Sequence, residues 1–262
     1  MTYETLKFTV ADGVAHIALN RPNAANAMNL AMVRDLLAAA IRIDNDASVR
    51  AVLLSAEGKM FCAGGDLKDF ASKGDELPGY VTEVATYLHA AITRLQRMDP
   101  PLVIAVNGMA AGAGLSLMAG GDVVIVSEEA KFVSAYTAAG LTPDGGSTYF
   151  LAKHIGLMRA KELVLTNRRL SSAEALEWGL VTRVVPAERL SEEAMAVAKQ
   201  FAGGPTKAYG GAKRLLLSAY EAAIETQLED ETVGITSRAR SYDGREGIEA
   251  FAAKRAPEFK GD

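Results

Sequence analysis

Cysteine, an excess of positive charge and long apolar runs are scarce or missing in this sequence, and each shortage excludes a class of protein. The one cysteine, Cys62, has no second thiol for an internal disulfide, which fits a reducing compartment. Lys and Arg number 28 against 32 Asp and Glu, so no cationic excess is available for the phosphates of nucleic acid. No apolar run reaches the roughly 18 residues typical of a membrane span, and the N-terminus lacks the order of a signal peptide. We therefore expect a cytoplasmic protein that binds neither nucleic acid nor membrane.

What is present is the composition of an ordinary globular protein. The chain has 262 residues, of which 49% are hydrophobic and 23% charged, enough to bury a substantial core. This length is long for one domain and short for two, and the composition shifts near residues 187–204. We therefore predict a core domain over residues 1–200 and a helical C-terminal subdomain over residues 201–262.

Strand and helix patterns alternate in the first half of the chain. Leu6–Val10 and Val14–Leu19 flank an Asp-Gly pair, which predicts a β-hairpin, and Asn29 predicts the N-cap of a helix that ends near Arg42. Further strands are predicted at Val49–Ser55, Leu102–Val106, Asp122–Val126 and Lys131–Val133, helices at Tyr80–Met98 and Ala110–Ala119, and a loop at residues 71–79. This alternation predicts an α/β core.

The rest of the chain is almost entirely helical in pattern, and only Leu180–Val185 predicts a strand there. Helices are predicted at residues 147–154, 157–166, 171–178, 187–201, 205–219, 221–240 and 245–255. The change of pattern supports a helical C-terminal subdomain.

Two glycine-rich segments are candidates for binding an anion through backbone N–H groups. The first is Ala63-Gly64-Gly65-Asp66-Leu67, and the second runs from Gly108 to Ser116. Neither fits a dinucleotide fingerprint or a phosphate loop, and Ser116 is not in the G-x-S-x-G motif of serine hydrolases. Two interpretations stay open. The segments form an oxyanion hole, in which two N–H groups converge on a developing enolate oxygen, or the glycines only let a helix and a strand approach closely.

Five segments, taken in order, resemble the enoyl-CoA hydratase/isomerase (crotonase) family. They are I-A-L-N-R-P-N-A-A-N-A-M from Ile17, F-C-A-G-G-D-L from Phe61, P-L-V-I-A-V-N-G-M-A-A-G-A-G from Pro101, L-T-N-R with the later A-L-E-W-G-L-V from Leu165, and G-I-E-A-F-A-A-K-R-A-P-E-F from Gly247. Each segment alone is weakly specific, but their order and spacing together are highly specific. The resemblance implies a spiral of ββα units with a C-terminal helical trimerisation region, commonly assembled as a homotrimer or a dimer of trimers.

The resemblance also implies how a coenzyme A thioester would bind as the substrate, with no metal and no permanently bound cofactor. The N–H groups of Gly65 and Ala113 correspond to those that hold the thioester oxygen, and the carbonyl of Ala63 to the one that meets the adenine. The other coenzyme A contacts that it implies are Ala25, Asp66, Leu67, Phe251 and Lys254. In the family, the last two positions usually serve a neighbouring subunit.

The chain departs from the hydratase pattern at two positions. Typical hydratases of the family carry two glutamates, and their positions here are Ser116 and Tyr136. Neither side chain is a carboxylate base at neutral pH, because a serine hydroxyl hardly ionises and a tyrosine has an ordinary pKa of about 10. The sequence therefore argues against classical hydration.

A different carboxylate, Asp144, stands where family isomerases place a catalytic aspartate and where 4-chlorobenzoyl-CoA dehalogenase has its nucleophile. His89 matches the general base of that dehalogenase, and Tyr136 lies in a segment similar to its aromatic segment, with phenol in place of indole. From the residues alone, Asp144 before two glycines also fits a turn or a helix cap, His89 a structural histidine, Tyr136 a packing aromatic and Asp66 a helix N-cap. Cys62 is expected to be inert and partly buried.

Three functions follow from these candidates. The leading one is a double-bond isomerase of an acyl-CoA, since one base suffices for an allylic shift whereas hydration usually needs an acid and a base. The second is an aryl-CoA dehalogenase or hydrolase, in which Asp144 is the nucleophile and His89 activates water. The third is a coenzyme A-binding relative without catalytic activity.

Overall fold

Residues 2–262, which the computed structural model describes, form nine β-strands and eleven α-helices. The strands are β1 (Leu6–Ala11), β2 (Val14–Leu19), β3 (Ala51–Ala56), β4 (Leu102–Val106), β5 (Met109–Ala111), β6 (Val123–Ser127), β7 (Lys131–Val133), β8 (Leu170–Ser171) and β9 (Arg183–Val185). The helices are α1 (Leu30–Asp44), α2 (Leu67–Ala71), α3 (Leu77–Arg97), α4 (Ala113–Ala119), α5 (Ser147–Ile155), α6 (Leu157–Thr166), α7 (Ser172–Glu177), α8 (Leu190–Ala202), α9 (Thr206–Ser218), α10 (Ile224–Ala239) and α11 (Tyr242–Ala252).

The strands form two sheets. The larger has six strands in the order β1-β2-β3-β4-β6-β9, and all its pairs are parallel except the β1–β2 hairpin. The smaller has the order β5-β7-β8. Parallel strands are covered on both faces, and β4 accordingly has all five residues buried. One buried cluster joins this sheet to α1 and α3, and another joins it to α8. The predicted α/β core is confirmed.

Local signals placed the first elements correctly. Asp12 and Gly13 have φ values of 52° and 75°, the left-handed conformations that a tight two-residue hairpin turn requires. The Asn29 side chain accepts a hydrogen bond from Met32 N at 3.1 Å, so it caps α1 as predicted.

Three segments differ from the sequence-based expectation. The predicted loop at 71–79 is largely helical, with a 3-10 turn at Gly74–Glu76 and the start of α3 at Leu77. The predicted helix over Ala110–Ala119 is strand β5 followed by α4, because Met109–Ala111 pairs in parallel with β7. The predicted strand at Leu180–Val185 is confined to its last three residues, β9.

The C-terminal helices are held to the core by polar contacts. Lys213 on α9 pairs with Asp122 at 2.7 Å. The buried carboxylate of Asp243 on α11 accepts the N–H groups of Lys260, Gly261 and Asp262, which folds the last residues back onto that helix. The proposed domain boundary at residue 200 lies near the end of α8, and it stays a prediction. No helix within residues 2–262 has the length and apolar character needed to cross a bilayer.

Candidate active site

A cavity of about 220 Å³ lies where the turn after β3, the start of α4, helix α3 and the segment after β7 meet. Its apolar lining comprises Met28, Leu67, Phe70, Val81, Val84, Ala85, Leu88, Ala135, Ala139 and Leu141. Gly65, Ala113, Tyr136 and Asp144, four of the residues expected to carry the chemistry, line the same cavity. Among its lining residues within the described chain, Asp144 is the one carboxylate.

Two backbone segments approach each other closely at one wall of this cavity. A side chain added at Gly64 would lie 3.3 Å from Gly112 Cα and 3.4 Å from Ala113 N, and Gly64 has a φ of 98°. Only glycine fits such a left-handed position at this distance. Within residues 2–262, the N–H groups of Gly65 and Ala113 donate no hydrogen bond. Ala113 is the first residue of α4, where N–H groups have no intrahelical acceptor.

The Gly64–Gly65 turn is held by a second turn that precedes α1. Met28 N donates to Gly64 O at 2.7 Å, and Asp66 N donates to Met28 O at 2.9 Å. Asn26, fully buried, donates through its side chain to Glu57 O at 2.8 Å and to Met60 O at 2.9 Å. Sequence reasoning did not single out Asn26. Its one signal in the sequence is an Asn within a turn. Asn23 carries the same signal, and the sequence alone does not rank the two residues.

Asp144 belongs to a chain of hydrogen-bonded side chains at the same cavity. The Tyr136 hydroxyl donates to Asp144 Oδ1 at 2.6 Å and lies 2.8 Å from Ser116 Oγ. Because the Tyr136 hydroxyl donates its hydrogen bond to the carboxylate, the Ser116 hydroxyl can donate to Tyr136 Oη or to Gly112 O, which lies 3.2 Å from Ser116 Oγ. Ser116 and Tyr136, expected at the two hydratase glutamate positions, therefore contact each other, and Tyr136 contacts Asp144.

Tyr136 is a fixed donor in this chain. Burial, reinforced by the negative charge of Asp144, raises the pKa of the Tyr136 phenol well above its ordinary value. Its ring is directed by a tight turn: Ala135 has a φ of 60°, and Tyr136 N donates to Ser134 O at 2.8 Å. Such a left-handed conformation is uncommon for alanine and is typical of functional sites that hold strain.

Of the two structural alternatives for Asp144, a turn or a helix cap, the structure shows the turn, and the Asp144 carboxylate does not cap α5. The backbone carbonyl of Asp144, not its side chain, accepts from Ser147 N at 3.1 Å. The following Gly145 has a φ of 60°, and a side chain there would lie 2.8 Å from Ser116 Cβ. The turn thus needs glycine both for its conformation and for its closeness to α4. The Asp144 side chain is 32% exposed, so it faces the cavity instead of being sealed in the core.

His89 lies on α3 near the same turn, but it does not line the cavity of Asp144. Gly145 N donates to His89 Nε2 at 3.0 Å, whereas Asp144 Oδ2 is 3.8 Å from the same nitrogen. The first distance is a hydrogen bond and the second is beyond hydrogen-bonding range.

The residues expected to bind coenzyme A fall into two groups. Ala25, Ala63, Asp66 and Leu67 are adjacent, since Ala63 N donates to Ala25 O at 3.0 Å and Leu67 begins α2 directly after Asp66. Asp66 caps α2 by accepting from Asp69 N at 3.2 Å, and it also pairs with Arg21 at 3.0 Å. In contrast, Phe251 and Lys254, at the end of α11, do not line the cavity, and Phe251 is 86% exposed.

Cys62 is fully buried, not partly buried as expected. Burial raises the pKa of its thiol to about 12, which keeps the sulfur protonated and unreactive at ordinary pH.

Comparisons with known proteins agree on one family. The family model described as enoyl-CoA hydratase/isomerase matches residues 9–262. The 1,2-epoxyphenylacetyl-CoA isomerase of Escherichia coli (strain K12) is 38% identical over 96% of this chain and 97% of its own length. The 4-chlorobenzoyl coenzyme A dehalogenase-2 of an Arthrobacter species is 32% identical over 93% of this chain and 88% of its own length. A solved enoyl-CoA hydratase structure from Bacillus anthracis superposes with a TM-score of 0.92, at 32% identity over 99% of this chain and 100% of the other.

Proposed function

The chain belongs to the enoyl-CoA hydratase/isomerase family, and we propose that it is a double-bond isomerase of acyl-CoA thioesters in which Asp144 carries the proton. The crotonase-type α/β fold with C-terminal helices, expected from the sequence, is confirmed by the solved structures that it resembles. The chain is therefore an enzyme of this family, and its reaction and substrate are the subject of the proposal.

The observation that supports isomerisation is the lone carboxylate of the cavity. Asp144 is the one acidic side chain among the lining residues of the described chain. The residues at the two hydratase glutamate positions, Ser116 and Tyr136, are hydroxyl groups that hydrogen-bond to each other. An allylic shift needs one group that takes a proton from one carbon and returns it to another, whereas hydration usually needs an acid and a base. The name of the Escherichia coli relative, an isomerase of a CoA thioester, agrees with this assignment.

In the proposed mechanism, the N–H groups of Gly65 and Ala113 bind the thioester oxygen. Asp144 removes a proton from C2 of a 3-enoyl thioester through Oδ2. The electrons of that C–H bond move toward the carbonyl and form a dienolate, whose negative oxygen lies at the N-terminus of α4, where the partial charge is positive. Protonated Asp144 then returns the proton to C4, and the double bond moves from C3–C4 to C2–C3.

The apolar wall of the cavity would hold the hydrocarbon part of the substrate. The cavity is lined by Asp144 and by apolar side chains that include Met28, Phe70, Val84 and Leu88. Because no lining residue of the described chain is cationic, this wall favours an uncharged acyl group over one that carries a free carboxylate.

An Asp144→Asn variant tests this function. It keeps the size of the side chain but cannot take up a proton, so we expect kcat/KM for the conversion of a 3-enoyl-CoA to a 2-enoyl-CoA to fall by about 10²- to 10⁴-fold. The measurement is the rise in absorbance of the conjugated thioester. The matched control is Asp75→Asn, on an exposed 3-10 turn, which should react like the wild type. Full activity of Asp144→Asn would reject the proposal.

A second candidate is the aryl-CoA dehalogenase or hydrolase reaction, in which Asp144 attacks the ring. It is favoured by the Arthrobacter relatives and by Oδ2 of Asp144, which accepts no hydrogen bond within residues 2–262. It requires His89 to activate water, although His89 Nε2 already accepts the Gly145 N–H. Release of chloride from 4-chlorobenzoyl-CoA, with solvent ¹⁸O entering Asp144, would establish this reaction in place of isomerisation.

We also propose that the enzyme assembles as a homotrimer or a dimer of trimers. Phe251 and Lys254 are exposed and lie outside the cavity of their own chain. In an assembly, these two residues would be available to the coenzyme A of a neighbouring subunit.

A further inference from the structure

The Nε2 atom of the His89 imidazole already accepts a hydrogen bond. Gly145 N–H donates to His89 Nε2 at 3.0 Å. A ring nitrogen that accepts a hydrogen bond carries no proton, so this contact requires a neutral imidazole with its proton on Nδ1. Nε2 therefore cannot also donate to Asp144 Oδ2 at 3.8 Å.

His89 and Asp144 also line different cavities. His89, Gly145 and Gly146 line a neighbouring cavity of about 560 Å³, whereas Asp144 lines the cavity of about 220 Å³ that also holds Gly65 and Ala113. His89 Nε2 lies 3.8 Å from Asp144 Oδ2, but His89 is not among the residues that line the space proposed for the acyl group. A base acting on that acyl group, or on water beside it, would have to line the smaller cavity.

The turn that carries Asp144 needs to be held in place. Gly145 and Gly146 have φ values of 60° and 77°, and consecutive glycines lose more conformational freedom on ordering than other residues. Tyr136 holds the Asp144 side chain, and Ser147 N holds the Asp144 carbonyl. Tyr136 and Ser147 are near in sequence, whereas the His89 contact ties the turn to α3, 56 residues away.

We infer that His89 is a positioning residue, which fixes the Asp144–Gly145 turn through its Nε2 acceptor and does not act as a base. This inference rests on the proposed role of Asp144 as the proton carrier. A carboxylate displaced by up to about an ångström transfers a proton much less efficiently. His89 Nε2 therefore affects the rate of isomerisation through the position of Asp144.

The experiment compares four substitutions on α3. His89→Ala removes the acceptor, and we expect kcat for isomerisation to fall by about tenfold while KM changes by less than about twofold. His89→Gln provides a side-chain oxygen that can accept from Gly145 N–H, and it should recover kcat to within about threefold of the wild type. Thr93→Ala, one turn further along and lining the same cavity, is the matched control and should leave kcat as it is. His89→Leu serves as a second variant without an acceptor.

The conservative variant decides between the two roles. A base cannot be replaced by an amide, so a His89→Gln variant that loses as much activity as His89→Ala would overturn the inference. Wild-type activity in both His89→Ala and His89→Leu would overturn it as well. The His89 side chain is 50% exposed, so these changes should leave the fold intact, and thermal unfolding checks this.

A second readout does not depend on the reaction. Hydrogen exchange of the Gly145 amide should be about tenfold faster in His89→Ala than in the wild type, and His89→Gln should restore its protection. If the wild type proves inactive as an isomerase, the proposed function fails but this exchange pattern still supports the tether. Equal exchange in all variants would overturn the tether even in an active isomerase.

Discussion

At the scale of single residues, the two oxygens of Asp144 have different environments. Oδ1 accepts the Tyr136 hydroxyl at 2.6 Å, and Oδ2 accepts no hydrogen bond within residues 2–262. Tyr136 fixes the orientation of the carboxylate, and Oδ2 stays available to a carbon-bound proton. Tyr136 thus supports Asp144 by donation, and its raised pKa excludes it as a base at ordinary pH.

A Tyr136→Phe variant removes this donor while keeping the ring. Hydrogen bonds to charged groups contribute about 1.5–3 kcal/mol, so we expect kcat to fall by roughly tenfold to a hundredfold with little change in KM. Steady-state kinetics with a 3-enoyl-CoA measures this effect. Phe132, a buried ring on the nearby β7, provides a matched control as Phe132→Leu, which alters packing without touching Asp144. An unaltered kcat in Tyr136→Phe would show that Asp144 needs no such support.

The sequence predicted several site residues but not all of their contacts. The roles predicted for Gly65, Ala113 and Asp144 came from the resemblance to the family, because the residues alone also fitted close packing of glycines and a turn or helix cap. The His89–Gly145 hydrogen bond joins residues 56 apart in sequence, and no local pattern encodes such a contact. The same holds for Asn26, whose side chain reaches Met60 across 34 residues.

At the scale of elements, local chemistry predicted the long and well-capped segments. The hairpin turn and the Asn29 cap are each determined by neighbouring residues. The short elements were missed because non-local pairing creates them: β5 exists through β7, and β8 has two residues. Helix α2 is five residues long and too short to show a helical period, so its N-cap, Asp66, was the one sign of it in the sequence.

The C-terminal element gives a pH prediction. The Arg255 guanidinium pairs with both oxygens of Glu246, and the Glu258 N–H donates to the same carboxylate. These two contacts lower the pKa of Glu246 from 4.5 to about 2. A folded-state pKa below the unfolded one means that the folded protein binds fewer protons, so this stabilisation is complete above about pH 4.5 and is lost as the pH falls toward 2.

Urea unfolding at pH 5 and pH 3 checks that prediction. The wild type should lose more stability between these values than Glu246→Gln, which lacks the titrating group. Other carboxylates titrate in both proteins, so the difference between the two proteins is the quantity of interest. Equal losses would show that Glu246 is not held in its charged form.

At the scale of the whole molecule, the isolated chain leaves many large apolar side chains exposed. Those more than half exposed include Leu157, Met158, Leu165, Ile224, Val233, Ile235, Ile248 and Phe251. Extended apolar surface on a single chain is typical of protein interfaces. The fold was predictable because five motifs recur in order, but which surface meets another subunit depends on contacts between chains.

The mass in solution tests the proposed assembly. The chain has a mass of 27.7 kDa, and light scattering after size exclusion should give the mass of three or six copies, because burial of these side chains favours association. A monomer at micromolar concentration would contradict the assembly and would leave Phe251 and Lys254 without a role in coenzyme A binding.

Enolate formation beside Asp144 is the central claim, and solvent exchange measures it without requiring a finished product. In deuterated water, the wild type should introduce deuterium at C2 of an acyl-CoA that has no double bond to move, and Asp144→Asn should do so at least about a hundredfold more slowly. Deuterium incorporation by Asp144→Asn at the wild-type rate would contradict the account.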